Sequence, residues 1–176
     1  MTVFKASCTL LLCLALVGPS AVTAQENQAE APGPRKGQLH RPLDGGKVLY
    51  RFGVRPAPGA RGRVRHTGLT LVAASGRSVR AVDSGTVAIV APIQGYGLTI
   101  IVDHGHGYHT LYAHLRSALV EPGASVQRGE PIGVIGATGS LEGEKLYFEL
   151  RRGGEAIDPA GWFAPRGQRG REKGTK

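Results

Sequence analysis

Gly143-Glu-Lys-Leu-Tyr-Phe-Glu-Leu-Arg151 alternates apolar and polar residues along its length. Successive side chains of a strand point to opposite faces. Leu146, Phe148 and Leu150 therefore share one face, and Lys145, Tyr147, Glu149 and Arg151 the other. The spacing predicts a β-strand whose apolar trio enters a core and whose polar series lines a surface or groove.

The same short-strand pattern runs outward from it. Leu69–Val72, Ser78–Val82, Gly85–Val90, Leu98–Asp103, His109–Leu115, Ala124–Gln127 and Pro131–Ile135 read as strands, set apart by Gly-rich turns. Pro42–Gly53 reads as a turn and a short strand, while Val54–Arg65 and Pro92–Gly97 read as loops. His104-Gly-His-Gly107 is the turn of a hairpin. Regularly spaced short strands with no helical period between them predict an all-β fold: a two-sheet sandwich or partly open barrel of antiparallel strands.

The chain has 176 residues, of which 41% are hydrophobic and 6% aromatic, and a formal charge of +9. That length supports one domain with a core of its own plus tails. The charge admits nucleic acid, anionic membrane or an acidic polymer as partner. Much of it lies in tails, at Arg35-Lys36 and from Arg166 to Lys176, where a basic run reads as solvated.

Lys5, the apolar run Cys8–Val17 and Val22-Thr-Ala24 form a secretory signal pattern, so residues 1–24 are expected to be a cleaved leader and the protein periplasmic. Both cysteines, Cys8 and Cys13, fall inside it. The mature chain has neither disulfides nor thiolate ligands to offer. Residues 25–41 read as a flexible linker, 42–164 as the domain and 165–176 as a basic tail.

Generic catalytic motifs are missing: the chain contains no HExxH, GxSxG, P-loop or dinucleotide fingerprint. Aromatic RNA-binding signatures are missing too, so no nucleic-acid partner is expected. His40 lies in the linker. His104, His106 and His109 belong to a turn that reads as solvated. His66 and His114 stand in more informative contexts.

Those contexts are Arg65-His-Thr-Gly-Leu-Thr70, Gly76-Arg-Ser-Val-Arg-Ala-Val-Asp-Ser-Gly-Thr-Val87, Thr110-Leu-Tyr-Ala-His-Leu115, Val126 to Gly139, Lys145 to Arg151 and Ala156-Ile-Asp-Pro159. In this order the segments resemble the LytM or lysostaphin-type zinc endopeptidases of bacterial cell walls, over about Pro42 to Phe163. The resemblance implies a zinc held at three positions, which here are His66, Thr70 and Tyr147. It also implies two catalytic histidines at positions that are His114 and Lys145. A catalytic zinc needs about three protein ligands and an open position for water. One imidazole with a hydroxyl and a phenol does not provide that, so no zinc cofactor and no catalysis are expected: His66, Thr70 and Tyr147 become vestigial metal positions, and His114 and Lys145 vestigial catalytic ones.

The Leu146-Tyr-Phe-Glu149 strand before Arg151-Arg152 further resembles the degenerate LytM factors that switch on N-acetylmuramoyl-L-alanine amidases at cell separation. The resemblance implies a groove of His66, Thr70, His114, Lys145, Tyr147 and Glu149, with Arg63 and Arg65 nearby, that takes an amidase's regulatory helix. Such activators carry a coiled coil ahead of the domain. Here a linker stands in that place, which leaves open a free-standing activator or one recruited by another protein at the division site. Three other readings stay open: a zinc endopeptidase cutting peptidoglycan crosslinks, a passive peptidoglycan-binding module, and mimicry of biotinyl or lipoyl carrier domains. The last is disfavoured because Lys145 falls in a strand, whereas carrier lysines sit at hairpin tips.

Overall fold

The computed structural model describes residues 33–56 and 61–165. The expected leader, the first part of the linker and the basic tail beyond Pro165 lie outside these residues. Twelve strands and no helix occur among them: β1 (Lys47–Tyr50), β2 (Gly53–Pro56), β3 (Arg63–His66), β4 (Leu69–Val72), β5 (Ser78–Arg80), β6 (Gly85–Ile93), β7 (Gly97–Asp103), β8 (Tyr108–Ala118), β9 (Ser125–Val126), β10 (Pro131–Ile135), β11 (Leu146–Arg152) and β12 (Glu155–Ile157). The all-β class is as expected. The pairing is one branched sheet of ten antiparallel strands, ordered β1-β4-β11-β8-β7-β6-β9, with β10 bridging β8 to β5 and β12 on β11. It does not close into a barrel. A separate ribbon, β2–β3, stands beside it.

β11 is at the centre, between β4 and β8. On one face Phe148 lies opposite Tyr112, which lies opposite Ile100. Leu146, Phe148 and Leu150 are fully buried there with Leu115, Ile132 and Ile135. Phe148 packs obliquely against Tyr112 and Phe163, with ring centroids 5.4 and 5.7 Å away, a favourable offset for aromatic pairs. The apolar trio therefore sits where its alternation put it.

The opposite face departs from expectation. Tyr147 lies opposite Ala113, and Glu149 opposite Leu111, which faces Ile101. Tyr147, Ala113 and Leu111 form a second, smaller apolar cluster with Tyr96 and Ile101. Glu149 is fully buried and Tyr147 is 9% exposed. That face is covered at Tyr147 and Glu149, because Tyr96 packs against Tyr147 and the Gly68 turn presses on Glu149.

Other expectations also change. Val54–Arg65 holds the β2–β3 ribbon rather than a loop. Its Arg, Gly and Pro content lacks any apolar alternation, so only cross-strand pairing reveals it. β6 continues to Ile93, leaving a tight turn before β7. β5 and β9 are shorter than expected, and β12 was not foreseen. The packed unit begins before Pro42: Leu39 is fully buried, with its N–H bonded to the Trp162 carbonyl and its carbonyl to the Ala164 N–H. The expected linker to Arg41 thus ends in core structure.

The His104 turn is not solvated either. His104 is 4% exposed, donating from Nδ1 to the Ser84 carbonyl at 2.7 Å and accepting at Nε2 from Thr110 Oγ1 at 2.7 Å. Thr110 meets Tyr112 Oη, which accepts the Val82 N–H. Burial lowers the His104 pKa from its usual 6.5, against the pull of the Ser84 carbonyl and of Asp83 and Asp103. A depressed folded-state pKa means the unfolded chain binds the proton more readily, so stability is complete above about 6.5 and declines as pH falls through the lower folded value. His66 and His114 shift in the same direction. The melting temperature is expected to drop between pH 7.5 and 5, with a shallower drop in His104→Asn. A flat profile in the parent protein would contradict this arrangement.

Candidate functional site

A groove of about 280 Å³ opens where β3, β4, β8 and β11 meet. It gathers His66, Thr70, His114, Lys145 and Tyr147 from positions up to 81 residues apart (147 − 66). Five of the six expected groove residues therefore converge. Glu149 does not line the groove. It lies beneath the floor, and the expectation that it faces a partner is corrected.

His66 ends β3 and Thr70 lies in β4, joined by a turn through Gly68. A side chain at Gly68 would collide with the Phe148 carbonyl, so the turn can press against β11 only with glycine. His66 Nδ1–H donates to the Arg51 carbonyl at 3.0 Å, which leaves Nε2 to accept from Thr70 Oγ1 at 3.1 Å. Burial lowers its pKa, so the ring is held neutral with its one lone pair engaged.

Tyr147 packs edge-on against His66 at 5.4 Å and obliquely against Tyr96 at 5.4 Å. Its hydroxyl donates to Glu149 Oε1 at 2.5 Å, and Thr67 Oγ1, 2.9 Å from that hydroxyl, donates to the same oxygen at 2.5 Å. Arg151 closes the arrangement with a 2.8 Å ion pair to Glu149 Oε2. Burial, and then the hydrogen bond to Glu149, push the phenol pKa well above its usual 10. Because Tyr147 belongs to the second cluster, its ring carries packing as well as surface. Tyr147→Phe is expected to cost about 1–2 kcal/mol by deleting one hydrogen bond to a buried charge, while the groove keeps its shape. Urea denaturation measures this, and a variant as stable as the parent would contradict the bond.

His114 reaches the groove from a bulge in β8. Its φ is +61°, and the β7–β8 register slips between Leu98 and Ile100, opposite Ala113–His114. A left-handed non-glycine costs about 1 kcal/mol or more, and bulges re-aim side chains near functional sites. Here the bulge directs the imidazole toward Tyr147, 6.4 Å away. Nδ1–H donates to the Thr138 carbonyl at 2.9 Å. Burial lowers the His114 pKa, and the Lys145 charge adds to the effect. Gly97, at φ +67°, lets the chain before β7 touch the Thr138 carbonyl, where any Cβ would overlap it.

Lys145 lies just outside β11. Its N–H bonds to the Gly136 carbonyl, and its ammonium pairs with Glu142 at 2.7 Å. Tyr50, Arg55, Thr67, Gly95, Tyr96 and Glu142 also line it and were not expected there. Thr67 lies inside the Arg65–Thr70 segment and Tyr96 in the stretch read as the Pro92–Gly97 loop, while Tyr50, Arg55 and Glu142 belong to no motif. Arg65 lines the groove, and Arg63 does not.

The zinc implied by the resemblance does not fit this donor set. His66 Nε2 is engaged by Thr70, a threonine hydroxyl is a poor ligand at neutral pH, and Tyr147 is held protonated against a carboxylate. Among the described residues no three His, Cys, Asp or Glu side chains converge as metal ligands. What the groove offers is neutral imidazoles, aromatic walls and cations at one end.

Comparison with known proteins extends the picture. The chain is 38% identical over 131 residues to the murein hydrolase activator EnvC of Escherichia coli, covering 74% of this chain and 30% of that protein. It is 35% identical over 124 residues to the DD-carboxypeptidase/endopeptidase Mpg of Neisseria meningitidis, covering 70% of this chain and 29% of the relative. The chain thus spans about a third of the length of the curated relatives it matches. Among solved structures, a zinc containing peptidase from Vibrio cholerae superposes with a TM-score of 0.67 at 28% identity, over 74% of this chain and 41% of that one. Residues 64–159, more than half of the chain and the span that carries His66, Thr70, His114 and Tyr147, match the model of peptidase family M23. With the ordered motifs, the open all-antiparallel sheet and the groove at the expected positions, this places the chain in peptidase family M23.

Proposed function

We propose that this protein is a non-catalytic M23 factor of the periplasm that activates a peptidoglycan amidase. On this reading the vestigial active-site groove, holding no zinc, binds the amidase's regulatory helix and so promotes splitting of the septal wall. The observation that carries the reading is the engagement of the former ligand positions with each other and with the protein: His66 with Thr70, and Tyr147 with Glu149. Aromatic walls and fixed charge replace the metal cage, a composition suited to a small binding hot spot. The likeness to the E. coli activator supports the same reading.

Physically, an activator that binds the open amidase better than the closed one shifts the population between them. Moving that equilibrium from almost closed to almost open takes about 5 kcal/mol of differential binding. The test is dye release from purified sacculi with amidase alone, this protein alone and both together. Stimulation only in the mixture is expected. Release by this protein alone, abolished by chelator, would establish instead the endopeptidase reading that the Neisseria relative favours. Binding to sacculi without stimulation of any amidase from the same organism would leave a passive wall-binding module.

A further inference from the structure

One end of the groove carries cations beyond what its own acids balance. Arg55, Arg65 and Lys145 line it, against the single carboxylate of Glu142. Arg55 lies with its guanidinium 4.0 Å above the Tyr50 ring, and its Nε is buried without a hydrogen-bond partner. It is the one such side-chain atom among the described residues, and a buried donor left unmet is costly. Among the described residues neither Arg55 nor Arg65 forms an ion pair, although Lys145 first, and then the more distant Arg55 charge, lower the pKa of Glu142.

Glu142 stands at this end as a stand-in. Its two oxygens meet Lys145 Nζ at 2.7 Å and Tyr50 Oη at 3.4 Å. It comes from the exposed segment between Gly139 and Glu144, whose Leu141 is fully exposed and packs on nothing. Glu142 itself is 37% exposed. An ion pair held by such a segment is weak and easily exchanged.

We propose that Arg55, Lys145 and Tyr50 form a carboxylate subsite that receives an aspartate or glutamate from the helix of the partner protein, and that Glu142 fills it in the free protein as an internal competitor. The partner's identity as a protein rests on the activator reading above. The aromatic walls beside the subsite, Tyr50, Tyr96 and Tyr147, favour it, because they suit the apolar face of a helix next to its acidic residue. An incoming carboxylate closer to Arg55 would pair with its guanidinium, with which Glu142 forms no ion pair, and release of Glu142 would free its segment.

The test needs no amidase. N-acetyl-glutamate methylamide and its glutamine counterpart are titrated into the purified protein while the Arg55 Nε–H and Lys145 signals are followed by NMR. Saturable shifts with the glutamate probe alone, with a dissociation constant on the order of millimolar, are expected. Glu142→Gln should tighten binding about three- to fivefold, the size of one exposed ion pair, and Arg55→Gln should weaken it by at least as much. Equal shifts from both probes, or no change in Glu142→Gln, would overturn the proposal. Soluble muropeptides bound at the same signals more tightly than the glutamate probe would assign the subsite to the wall and overturn the protein partner. Because amidase stimulation is measured separately, the activator reading can fail while the subsite stands, and the reverse.

Discussion

Glu149→Ala lowers the unfolding free energy by about 3–4 kcal/mol, the largest stability loss expected from any residue near the groove. Glu149 is fully buried and collects Tyr147 Oη, Thr67 Oγ1 and the Arg151 guanidinium. Removing it takes the charged acceptor from both hydroxyls, about 1.5–3 kcal/mol even though Thr67 Oγ1 and Tyr147 Oη can then bond each other at 2.9 Å, and leaves a cavity under Gly68. Arg151 adds little to the loss, since its side chain is 39% exposed and keeps its bonds to the Gly154 carbonyl. Set against a typical domain stability of about 5–15 kcal/mol, the variant remains folded at 25 °C but melts far earlier. Glu149→Gln, which keeps the shape and an acceptor, should lose roughly half as much. Urea denaturation of both variants checks this. A Glu149→Ala protein within about 0.5 kcal/mol of the parent, the range of ordinary surface changes, would mean that the carboxylate does not hold β11 to the β3–β4 turn.

Lys145→Glu is expected to reduce amidase stimulation at least about tenfold, the equivalent of 1.4 kcal/mol, with little change in stability. The Lys145 side chain is 12% exposed and paired with Glu142, so the substitution sets two carboxylates against each other where the groove is cationic. Loss of a covered, hydrogen-bonded charge at an interface costs about 2–5 kcal/mol, well beyond the effect of a rim lysine. The fold should persist, because the bond from Lys145 N–H to the Gly136 carbonyl belongs to the backbone. Dye release in the presence of amidase measures the first part and thermal melting the second. Full stimulation by Lys145→Glu would remove this groove from the activation mechanism. Tyr147→Ala is the poorer probe: its ring packs with Leu111, Ala113 and Tyr96, so lost stimulation could reflect lost packing.

Much of the main sheet was legible because it is written in local alternation. β4 and β10 fall at the expected residues, and β7, β8 and β11 within a residue or a few. The β2–β3 ribbon was not legible, since its arginines and prolines carry no period and its strands exist by pairing with each other. The burial of His104 was equally hidden: a histidine in a Gly-rich turn looks solvated until Ser84, from the turn before β6, and Thr110, from β8, meet its ring. At the groove, motif order picked out His66, Thr70, His114, Lys145 and Tyr147. Tyr50, Arg55 and Glu142 belong to no motif and join them only through the folding of β1, the ribbon and the 139–144 segment.

Gly143 to Arg151 shows where local sequence stops deciding. Alternation alone determined that Leu146, Phe148 and Leu150 enter one core, because the period of a strand is a property of its own backbone. It also kept Lys145 and Tyr147 on a common side, where they meet at the groove. Whether that side was wet or dry depended on what packed over it, and Tyr96 and the Gly68 turn made it dry at Tyr147 and Glu149. Which face a residue takes is set by the strand. What covers that face is set by its neighbours, and those come from the tertiary structure.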